Sequence, residues 1–461
     1  MNVSVIGLAR SGYAAAKLAL KLGYKVKASD ACAGEHVSES AKSALLENAR
    51  DLEKNGAWVE LDKHTPECLS EADVVVVSPG VPEDSDPIVW AKQQSLKIIS
   101  EVEFAVRHTN AKVIGITGTN GKTTTTALVG HILETAEIPA VVAGNIGQAL
   151  SGVVEKVTDK HLLVLELSSF QLQTLESLKP IISVWLNLTP EHLDRHMNIN
   201  EYAAAKARIF KNMTQENWAV IWNHDRDIVL PHLKDCGAKR VWIDETAAWK
   251  SSKEEQYGAF CLDGEIKTDF NGIQQSYGEK SELQLKGGHN MVNVLAACSV
   301  GRILQIPDYL IKKALRSFKP LEHRFELVGR KDGISFINDS KATNVDAVLK
   351  ALESVEKPVS LIAGGYDKGS DFVPLIPLVK EKVCRLVVIG KAAAKIGGIF
   401  EGSTEIVRAK RMNTAVSKAA ENLPEGATVL LAPGCASFDM YDNFEERGND
   451  FKNCVLNFVN N

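Results

Sequence analysis

The chain has 461 residues and a formal net charge of -5, and 45% of its residues are hydrophobic. At about 150 residues per domain, this length predicts roughly three domains rather than a single core. The slightly negative charge and the absence of a long basic run exclude a nucleic-acid backbone as an expected partner.

Cysteine spacing and apolar segments favour a cytoplasmic location. The eight cysteines include no C-x-x-C pair, which argues against a structural zinc site or a disulfide framework. The first predicted strand already ends at Gly7, which leaves no room for a signal peptide, and no apolar run reaches the roughly 18 residues of a membrane helix. We therefore expect a cytoplasmic monomer without a membrane anchor.

The first block of predicted elements has two turns suited to a phosphate-bearing ligand. Gly7–Gly12 is G-L-A-R-S-G directly after a strand, and Asp30 ends the next strand about 20 residues later. Ala9 stands where a dinucleotide fingerprint has its middle glycine, so the turn suits another diphosphate, or no nucleotide, equally well. A second turn, Ser78–Pro82, follows the strand Val74–Val77 at the same sheet edge, where ligands of parallel sheets bind.

The most specific motif lies in the second block, over residues 113–126. A buried strand leads there into G-T-N-G-K-T and a helix, and Gly118 and Gly121 let backbone N–H groups point at phosphate oxygens. Lys122 can neutralise the phosphates, and the Thr123 hydroxyl can contact a bound Mg²⁺. The first glycine of the usual P-loop is missing, so this is a shorter variant. An ordinary strand-to-helix turn would not need all of these features, and we predict a nucleoside triphosphate site.

Two further segments of the second block place polar side chains at predicted strand ends. Glu166 follows the strand Leu162–Leu165, where a nucleoside triphosphatase needs a metal-binding carboxylate. His192 follows the next strand, Ile181–Asn187. A lone histidine is usually structural, so its assignment as a metal or phosphate ligand depends on its neighbours.

The remaining elements continue the alternation of strands and helices. Short segments from about Val241 to Leu285 indicate an antiparallel excursion, and a helical pair leads to a candidate linker at Lys319–Pro320. The order of elements predicts an α/β fold with three domains. These are a Rossmann-like domain at residues 1–100, a P-loop ATPase-type domain at residues 101–319 and a Rossmann-like domain at residues 320–461.

Nine motifs, in register over essentially the whole chain, resemble those of the Mur ligases. Any one of them alone would be a weak signal. They are G-T-N-G-K-T, G-N-I-G (Gly144–Gly147), E-L-S-S-F-Q, L-T-P-E-H-L-D-R-H, Y-A-A-A-K (Tyr202–Lys206), G-H-N-M-V-N (Gly288–Asn293), H-R-F (His323–Phe325), N-D-S-K-A-T-N (Asn338–Asn344) and C-A-S-F-D-M-Y-D-N-F-E-E-R-G.

The resemblance implies an ATP-dependent amide ligase of peptidoglycan synthesis, and thereby a role in cell wall biogenesis, cell shape and cell division. Its domains would bind, in turn, a UDP-sugar, ATP with Mg²⁺, and an amino acid. G-L-A-R-S-G and C-A-S-F-D are most similar to the motifs of members that join D-glutamate to UDP-N-acetylmuramoyl-L-alanine. Because a carboxylate resists attack by an amine, the reaction would pass through an acyl phosphate and a tetrahedral intermediate.

The resemblance also implies roles for residues around the triphosphate. The implied catalytic residues are Lys122, His192, Lys206 and Lys341. The implied metal ligands are Thr123, Glu166, His192 and Lys206. The implied ATP-binding residues are Gly118, Thr119, Asn120, Gly121, Lys122, Thr123, Thr124, Asn290, Asn293, Arg324 and Asp339.

Lys206 is the unusual member of these sets. A free ammonium beside two Mg²⁺ ions would be repelled. The resemblance implies carbamylation by carbon dioxide, which turns the lysine into a carboxylate-like ligand. Without the family, the residues favour a solvated lysine on a helix.

The substrate sites follow from the same resemblance. The implied UDP-sugar ligands are Ala9, Arg10, Ser11, Asp30, Ser78, Pro79, Gly80 and Asn145. The implied D-glutamate ligands are Thr343, Lys368, Ser437 and Phe444. A cation and a hydroxyl suit an acidic amino acid. The chain departs from some members in having G-G-Y-D-K at Gly364–Lys368, where they have G-G-D-G-K, and Cys32, where they have an arginine.

Three alternatives stay open. A dehydrogenase would bind a dinucleotide at Gly7–Gly12, but the phosphate loop and Glu166 would then have no role. A non-catalytic nucleotide-binding scaffold would not need Asn338–Asn344 or the C-A-S-F cluster. Another Mur ligase would add L-alanine, a diamino acid or a dipeptide instead of D-glutamate.

Overall fold

The computed structural model describes residues 1–31, 39–145, 148–190, 198–246, 248–250, 255–285 and 288–460. The chain divides into two units. One contains Met1–Gln284 and His289–Phe318, and the other contains Lys319–Asn461 together with Leu285–Gly288. The main segment of the second unit therefore begins at the predicted linker.

The first sheet of the first unit is parallel and has five strands. The strands are β1 (Asn2–Ile6), β2 (Lys25–Asp30), β3 (Trp58–Leu61), β4 (Val74–Val77) and β5 (Lys97–Ser100). The helices are α1 (Arg10–Lys21), α2 (Glu39–Lys54) and α3 (Asp86–Gln93). The strand order is β3-β2-β1-β4-β5. The order reverses between β1 and β4, and ligands of such sheets bind beside the carboxyl ends of the two strands at that point.

The second sheet has nine strands, and the phosphate loop follows the first of them along the chain. The strands are β6 (Lys112–Thr117), β7 (Ala140–Gly144), β8 (Leu162–Glu166), β9 (Pro180–Trp185), β10 (Trp218–Trp222), β11 (Lys239–Asp244), β12 (Tyr257–Leu262), β13 (Glu265–Phe270) and β14 (Ile273–Glu279). The helices are α4 (Glu101–Val106), α5 (Lys122–Thr135), α6 (Ser169–Gln173), α7 (Ile199–Ala207), α8 (Arg226–Val229), α9 (His289–Ile303) and α10 (Asp308–Ser317). The strand order is β14-β13-β12-β11-β10-β9-β6-β8-β7.

The predicted antiparallel excursion is confirmed, but it begins later than Val241. β11 runs parallel to both β10 and β12, and only β12, β13 and β14 form an antiparallel meander. Its two turns are Asp263-Gly264 and Asn271-Gly272, and all four residues have positive φ. Such two-residue turns match the right-handed twist of the flanking strands.

The second unit contains a six-stranded sheet. The strands are β15 (Glu326–Lys331), β16 (Ile334–Asn338), β17 (Val359–Gly364), β18 (Val383–Ile389), β19 (Glu405–Arg408) and β20 (Thr428–Leu431). The helices are α11 (Val345–Glu353), α12 (Ile376–Lys382), α13 (Ala393–Ile399), α14 (Met412–Ala420) and α15 (Phe444–Asn460). The strand order is β15-β16-β20-β17-β18-β19, and only the β15–β16 hairpin is antiparallel.

The prediction of an α/β fold with parallel sheets is confirmed. Strands such as β4, β8 and β17 are mainly apolar and almost entirely buried, as expected where helices cover both faces of a sheet. Each sheet falls within one of the three predicted domain ranges, while the domain boundaries themselves stay a prediction. No helix in the described ranges is long and apolar enough to cross a membrane.

Candidate active site

The phosphate loop joins β6 to α5 and bends at two glycines. Gly118 has a φ of 154° and Gly121 a φ of 83°, both in the region that favours glycine. A Cβ on Gly121 would overlap the side-chain oxygen of Asn293. α5 begins at Lys122 without a side-chain cap. The first-turn N–H groups of a helix have no intrahelical partner, so this helix end has the geometry of an anion site.

Asn187, which follows β9, holds the loop in shape. Its backbone carbonyl accepts from Thr119 N at 2.8 Å. Its side-chain oxygen accepts from Asn120 N at 2.8 Å, and its side-chain nitrogen donates to Asn120 O at 2.9 Å. Sequence reasoning did not single out Asn187 as a site residue. Its position just after a buried strand, beside the strand that carries the loop, was the available signal.

Two lysines converge on the same loop. Lys122 Nζ donates to Gly118 O at 2.9 Å and to Thr119 O at 2.6 Å. Lys206 Nζ donates to Gly118 O at 2.7 Å and lies 4.4 Å from the centroid of the Tyr202 ring. Only 1% of Lys206 is exposed. The interpretation of Lys206 as a solvated helix lysine is therefore wrong.

Glu166 lies at the end of β8 with 1% of its surface exposed. Its Oε1 accepts from Asn145 Nδ2 at 2.8 Å, and its backbone carbonyl accepts from Asn145 N at 2.9 Å. Its Oε2 is buried and has no hydrogen-bond partner among the described residues. A buried carboxylate oxygen without a partner costs free energy. Because Mg²⁺ prefers carboxylate oxygens, the residue fits a metal site.

The predicted metal set is only partly described. His192 lies outside the described residues. Within the described ranges, no three His, Cys, Asp or Glu side chains form a group suited to a metal ion. Of the predicted metal ligands, Thr123, Glu166 and Lys206 lie within the described residues.

Two predicted nucleotide ligands, Asn290 and Asn293, lie on α9, near the phosphate loop. Asn293 Nδ2 donates to Asn290 Oδ1 at 2.9 Å, and Asn293 Oδ1 accepts from Thr125 Oγ1 at 3.1 Å. Both asparagines are buried. The contact with α5 ties the start of α9 to the helix that follows the phosphate loop.

The two predicted UDP-sugar turns meet at the carboxyl ends of β1 and β4. Ser78 Oγ donates to Gly7 O at 2.9 Å, and Asp30 Oδ2 accepts from Leu8 N at 2.6 Å. Asp30 thus shapes the first turn in addition to its predicted ligand role. Ala9, Arg10 and Gly80 are exposed, Ser11 and Pro79 are half-buried, and Ser78 is buried. Cys32 lies outside the described residues.

In the second unit, a buried arginine links the two loops that carry the predicted amino-acid ligands Thr343 and Ser437. Arg447 donates through Nε to Ser340 Oγ at 3.0 Å, through one terminal nitrogen to Ser340 O at 2.8 Å and through the other to Cys435 O at 3.1 Å. Burial lowers the pKa of Arg447 to about 10, so the guanidinium stays charged at neutral pH. Arg447 belongs to the last of the nine motifs, but its residue type alone predicted no role for it.

Several predicted site residues lie on or beside these loops. Lys341 Nζ lies 3.7 Å from the centroid of the Phe444 ring, and Thr343 N donates to Lys341 O at 2.8 Å. Ser437 is buried. Lys368 is exposed, and its Nζ lies 5.9 Å from the ring of Phe438.

Arg324 and Asp339, which were predicted as nucleotide ligands, lie in the same unit. Asp339 Oδ1 accepts from Phe325 N at 3.3 Å. Burial raises the pKa of Asp339, and the charge of Arg324 lowers it in part. The two side chains are thus electrostatic neighbours.

Family models and curated relatives match most of the chain. Residues 116–301 match the Mur ligase middle domain, and residues 323–435 match the Mur ligase, glutamate ligase domain. The UDP-N-acetylmuramoylalanine–D-glutamate ligase of Thermoanaerobacter pseudethanolicus (strain ATCC 33223 / 39E) is 40% identical over 458 residues, which cover 98% of each chain. The enzyme of the same name from Clostridioides difficile (strain 630) is 39% identical over 459 residues, which cover 99% of this chain and 98% of that protein.

Solved structures show the same fold. The UDP-N-acetylmuramate-alanine ligase of Thermotoga maritima aligns with a TM-score of 0.60 and 19% identity over 99% of this chain and 100% of that one. A MurF ligase of Thermotoga maritima, solved in complex with ADP, aligns with a TM-score of 0.57 and 16% identity over 84% of this chain and 90% of that one. The relatives are named as ligases, so the dehydrogenase and scaffold alternatives find no support. The chain belongs to the Mur ligase family, with the UDP-N-acetylmuramoylalanine–D-glutamate ligases.

Proposed function

We propose that this protein joins D-glutamate to UDP-N-acetylmuramoyl-L-alanine with hydrolysis of ATP, as a step of peptidoglycan precursor synthesis in the cytoplasm. One observation carries the proposal. A helix-opening phosphate loop, two lysines and a buried carboxylate oxygen meet at the carboxyl ends of β6 and β8. That arrangement suits phosphoryl transfer, in which the protein mainly positions groups and neutralises charge.

The loop and Lys122 bind and orient the triphosphate. Backbone N–H groups at the start of α5 donate to the phosphate oxygens, and the Lys122 ammonium leaves the loop carbonyls of Gly118 and Thr119 to donate to these oxygens as well. The γ-phosphoryl group passes from ATP to the substrate carboxylate, which becomes an acyl phosphate as ADP leaves. The amine of D-glutamate attacks the acyl carbonyl and loses a proton, and the tetrahedral intermediate then expels phosphate to form the amide.

Glu166, Thr123 and a carbamylated Lys206 would hold Mg²⁺, with His192 at a second ion. Mg²⁺ supplies charge neutralisation on the phosphate oxygens. The ammonium groups of Lys206 and Lys122 lie close together, because both donate to Gly118 O. Conversion of Lys206 into an anion would replace the repulsion between these two cations with attraction.

The second unit would select the amino acid. Lys368 and Ser437 offer a cation and a hydroxyl to the side-chain carboxylate of D-glutamate, and Thr343 and Phe444 complete the predicted site. The three sheets would form three functional domains at residues 1–100, 101–319 and 320–461. They would bind the UDP-sugar, ATP and the amino acid, respectively.

The test is phosphate release by the full chain with ATP, Mg²⁺ and a panel of UDP-muramoyl substrates and D- and L-amino acids. We expect release only when UDP-N-acetylmuramoyl-L-alanine and D-glutamate are both present, with product confirmed by mass spectrometry. Turnover with L-alanine, a diamino acid or a dipeptide, and none with D-glutamate, would refute the substrate assignment. It would leave the ligase class intact.

A further inference from the structure

The segment that carries Lys368 is a small closed loop. Asp367 Oδ1 accepts from Ser370 N at 2.8 Å, so the side chain of the first residue of the loop bonds to the backbone of the last. Gly369, with a φ of 87°, makes the turn between them. Lys368 is exposed at the tip. The loop thus has two ends that must stay together if Lys368 is to keep one position.

A single cation on α13 contacts both ends of this loop. Lys395 Nζ donates to Asp367 Oδ2 at 2.6 Å and to Ser370 O at 2.8 Å, and it lies 5.5 Å from the ring of Phe372. The Asp367 side chain is only 16% exposed. Burial acts to raise the pKa of Asp367, but the bonds from Lys395 and Ser370 outweigh it, and the net pKa is lowered. The carboxylate therefore stays charged at neutral pH.

Backbone contacts place the same loop beside Ser437. Tyr366 N donates to Ala436 O at 2.8 Å, and Ala436 N donates to Tyr366 O at 3.0 Å. The residue before the closed loop is thereby paired with the residue before Ser437. The loop is fixed on one side by this pairing and on the other by Lys395.

We propose that Lys395 is a positioning residue for amino-acid selection, which acts through Asp367 and Ser370 to hold Lys368 beside Ser437. The inference rests on the proposed function, in which these two residues receive the side-chain carboxylate of D-glutamate. If the Lys395–Asp367 ion pair had no such role, its loss would not weaken the binding of D-glutamate in preference to that of ATP or the UDP-sugar.

The experiment compares K395M, D367N and the double variant with the wild-type enzyme. We expect each single change to raise the KM for D-glutamate about threefold to tenfold, by analogy with other misplaced binding groups. The KM values for ATP and the UDP-sugar should stay within about twofold, as expected for a local effect. The double variant should be no worse than the single ones, because the two residues act through one contact. K395R should retain most of the affinity.

A matched control is E405Q, which removes the pair between Arg385 Nε and Glu405 at 2.9 Å in the same sheet. It should change no KM. An unchanged KM for D-glutamate in K395M would overturn the inference, and so would a rise in all three KM values with a lower Tm. If the wild-type enzyme works only with another amino acid, the proposed function fails. The KM for that amino acid is then compared between the variants and the wild-type enzyme. A selective rise confirms the role of Lys395, and an unchanged KM overturns it.

Discussion

At the scale of single residues, Lys122 is the first to test. Its ammonium already lies among the loop carbonyls, where phosphate oxygens would bind. We expect Lys122→Ala to lower the rate of phosphate release about a hundredfold or more, because it removes preorganised charge from the transferring phosphoryl group. Lys160→Ala, at an exposed lysine, serves as control. Near-normal turnover of the Lys122 variant would contradict the phosphate-loop assignment.

Lys206 allows a chemical test of the carbamate. We expect Lys206→Ala to lose most activity, and formate or acetate to restore part of it, because the buried space left by the side chain needs an anion near the metal. The same acids should not rescue Lys122→Ala, where a cation is missing. Full activity of the Lys206 variant, or failure of every small acid to rescue it, would count against carbamylation.

At the scale of elements, a comparison of Gly121 with Gly23 distinguishes the cost of backbone strain from the cost of disturbing the contact between the phosphate loop and α9. Gly121 and Gly23 have φ values of 83° and 77°, but only a Cβ on Gly121 would meet another side chain, that of Asn293. We expect Gly23→Ala to cost about 1 kcal/mol of unfolding free energy from strain alone. Gly121→Ala should cost more and also weaken nucleotide binding, measured by calorimetry. Equal losses in both variants would show that the contact with α9 is unimportant.

The short helix α4 follows the last strand of the first sheet and carries a buried carboxylate. Burial raises the pKa of Glu101, although the bond from Ser151 N at 2.5 Å and the charge of Arg10 act in the opposite direction. With a pKa raised on folding, the folded protein binds more protons than the unfolded chain. Stability from this group is therefore lost as pH rises from the ordinary value of 4.5 through the raised pKa.

Glu101→Gln keeps an acceptor for Ser151 N but cannot titrate. We expect its Tm to match that of the wild-type protein at low pH and to exceed it by a growing margin as pH rises. Glu83→Gln, at an exposed position, should show no such trend. A constant difference in Tm between Glu101→Gln and the wild type across the pH range would refute the prediction.

At the scale of the whole molecule, the two units should have separable binding functions. We expect Lys368→Ala or Ser437→Ala to raise the KM for D-glutamate by tenfold or more, because a buried carboxylate without its partners costs on the order of 1–3 kcal/mol. The KM for ATP should be nearly unchanged, because the phosphate loop belongs to the first unit. Parallel changes in both KM values would show that these residues do not form a dedicated amino-acid site.

The sequence alone determined the features that depend on neighbours along the chain. Apolar runs predicted β4, β8 and β17, and G-T-N-G-K-T predicted a glycine-bent loop that opens a helix. Such features follow from local backbone preferences and from burial on two faces. The same local signals failed at β11, because the direction of its pairing with β10 and β12 depends on how the connecting segments return the chain to the sheet.

Only the tertiary structure decided which polar side chains are buried and what they contact. Lys206 bonds to a carbonyl 88 residues earlier, Asn187 to a backbone amide 67 residues earlier, and Arg447 to a serine 107 residues earlier. The same holds for the buried oxygen of Glu166 and for the contact of Lys395 with both ends of the Lys368 loop. The residues next to a side chain in the sequence do not indicate which distant residues will contact it. Its burial, its charge state and its role therefore depend on the folded chain around it.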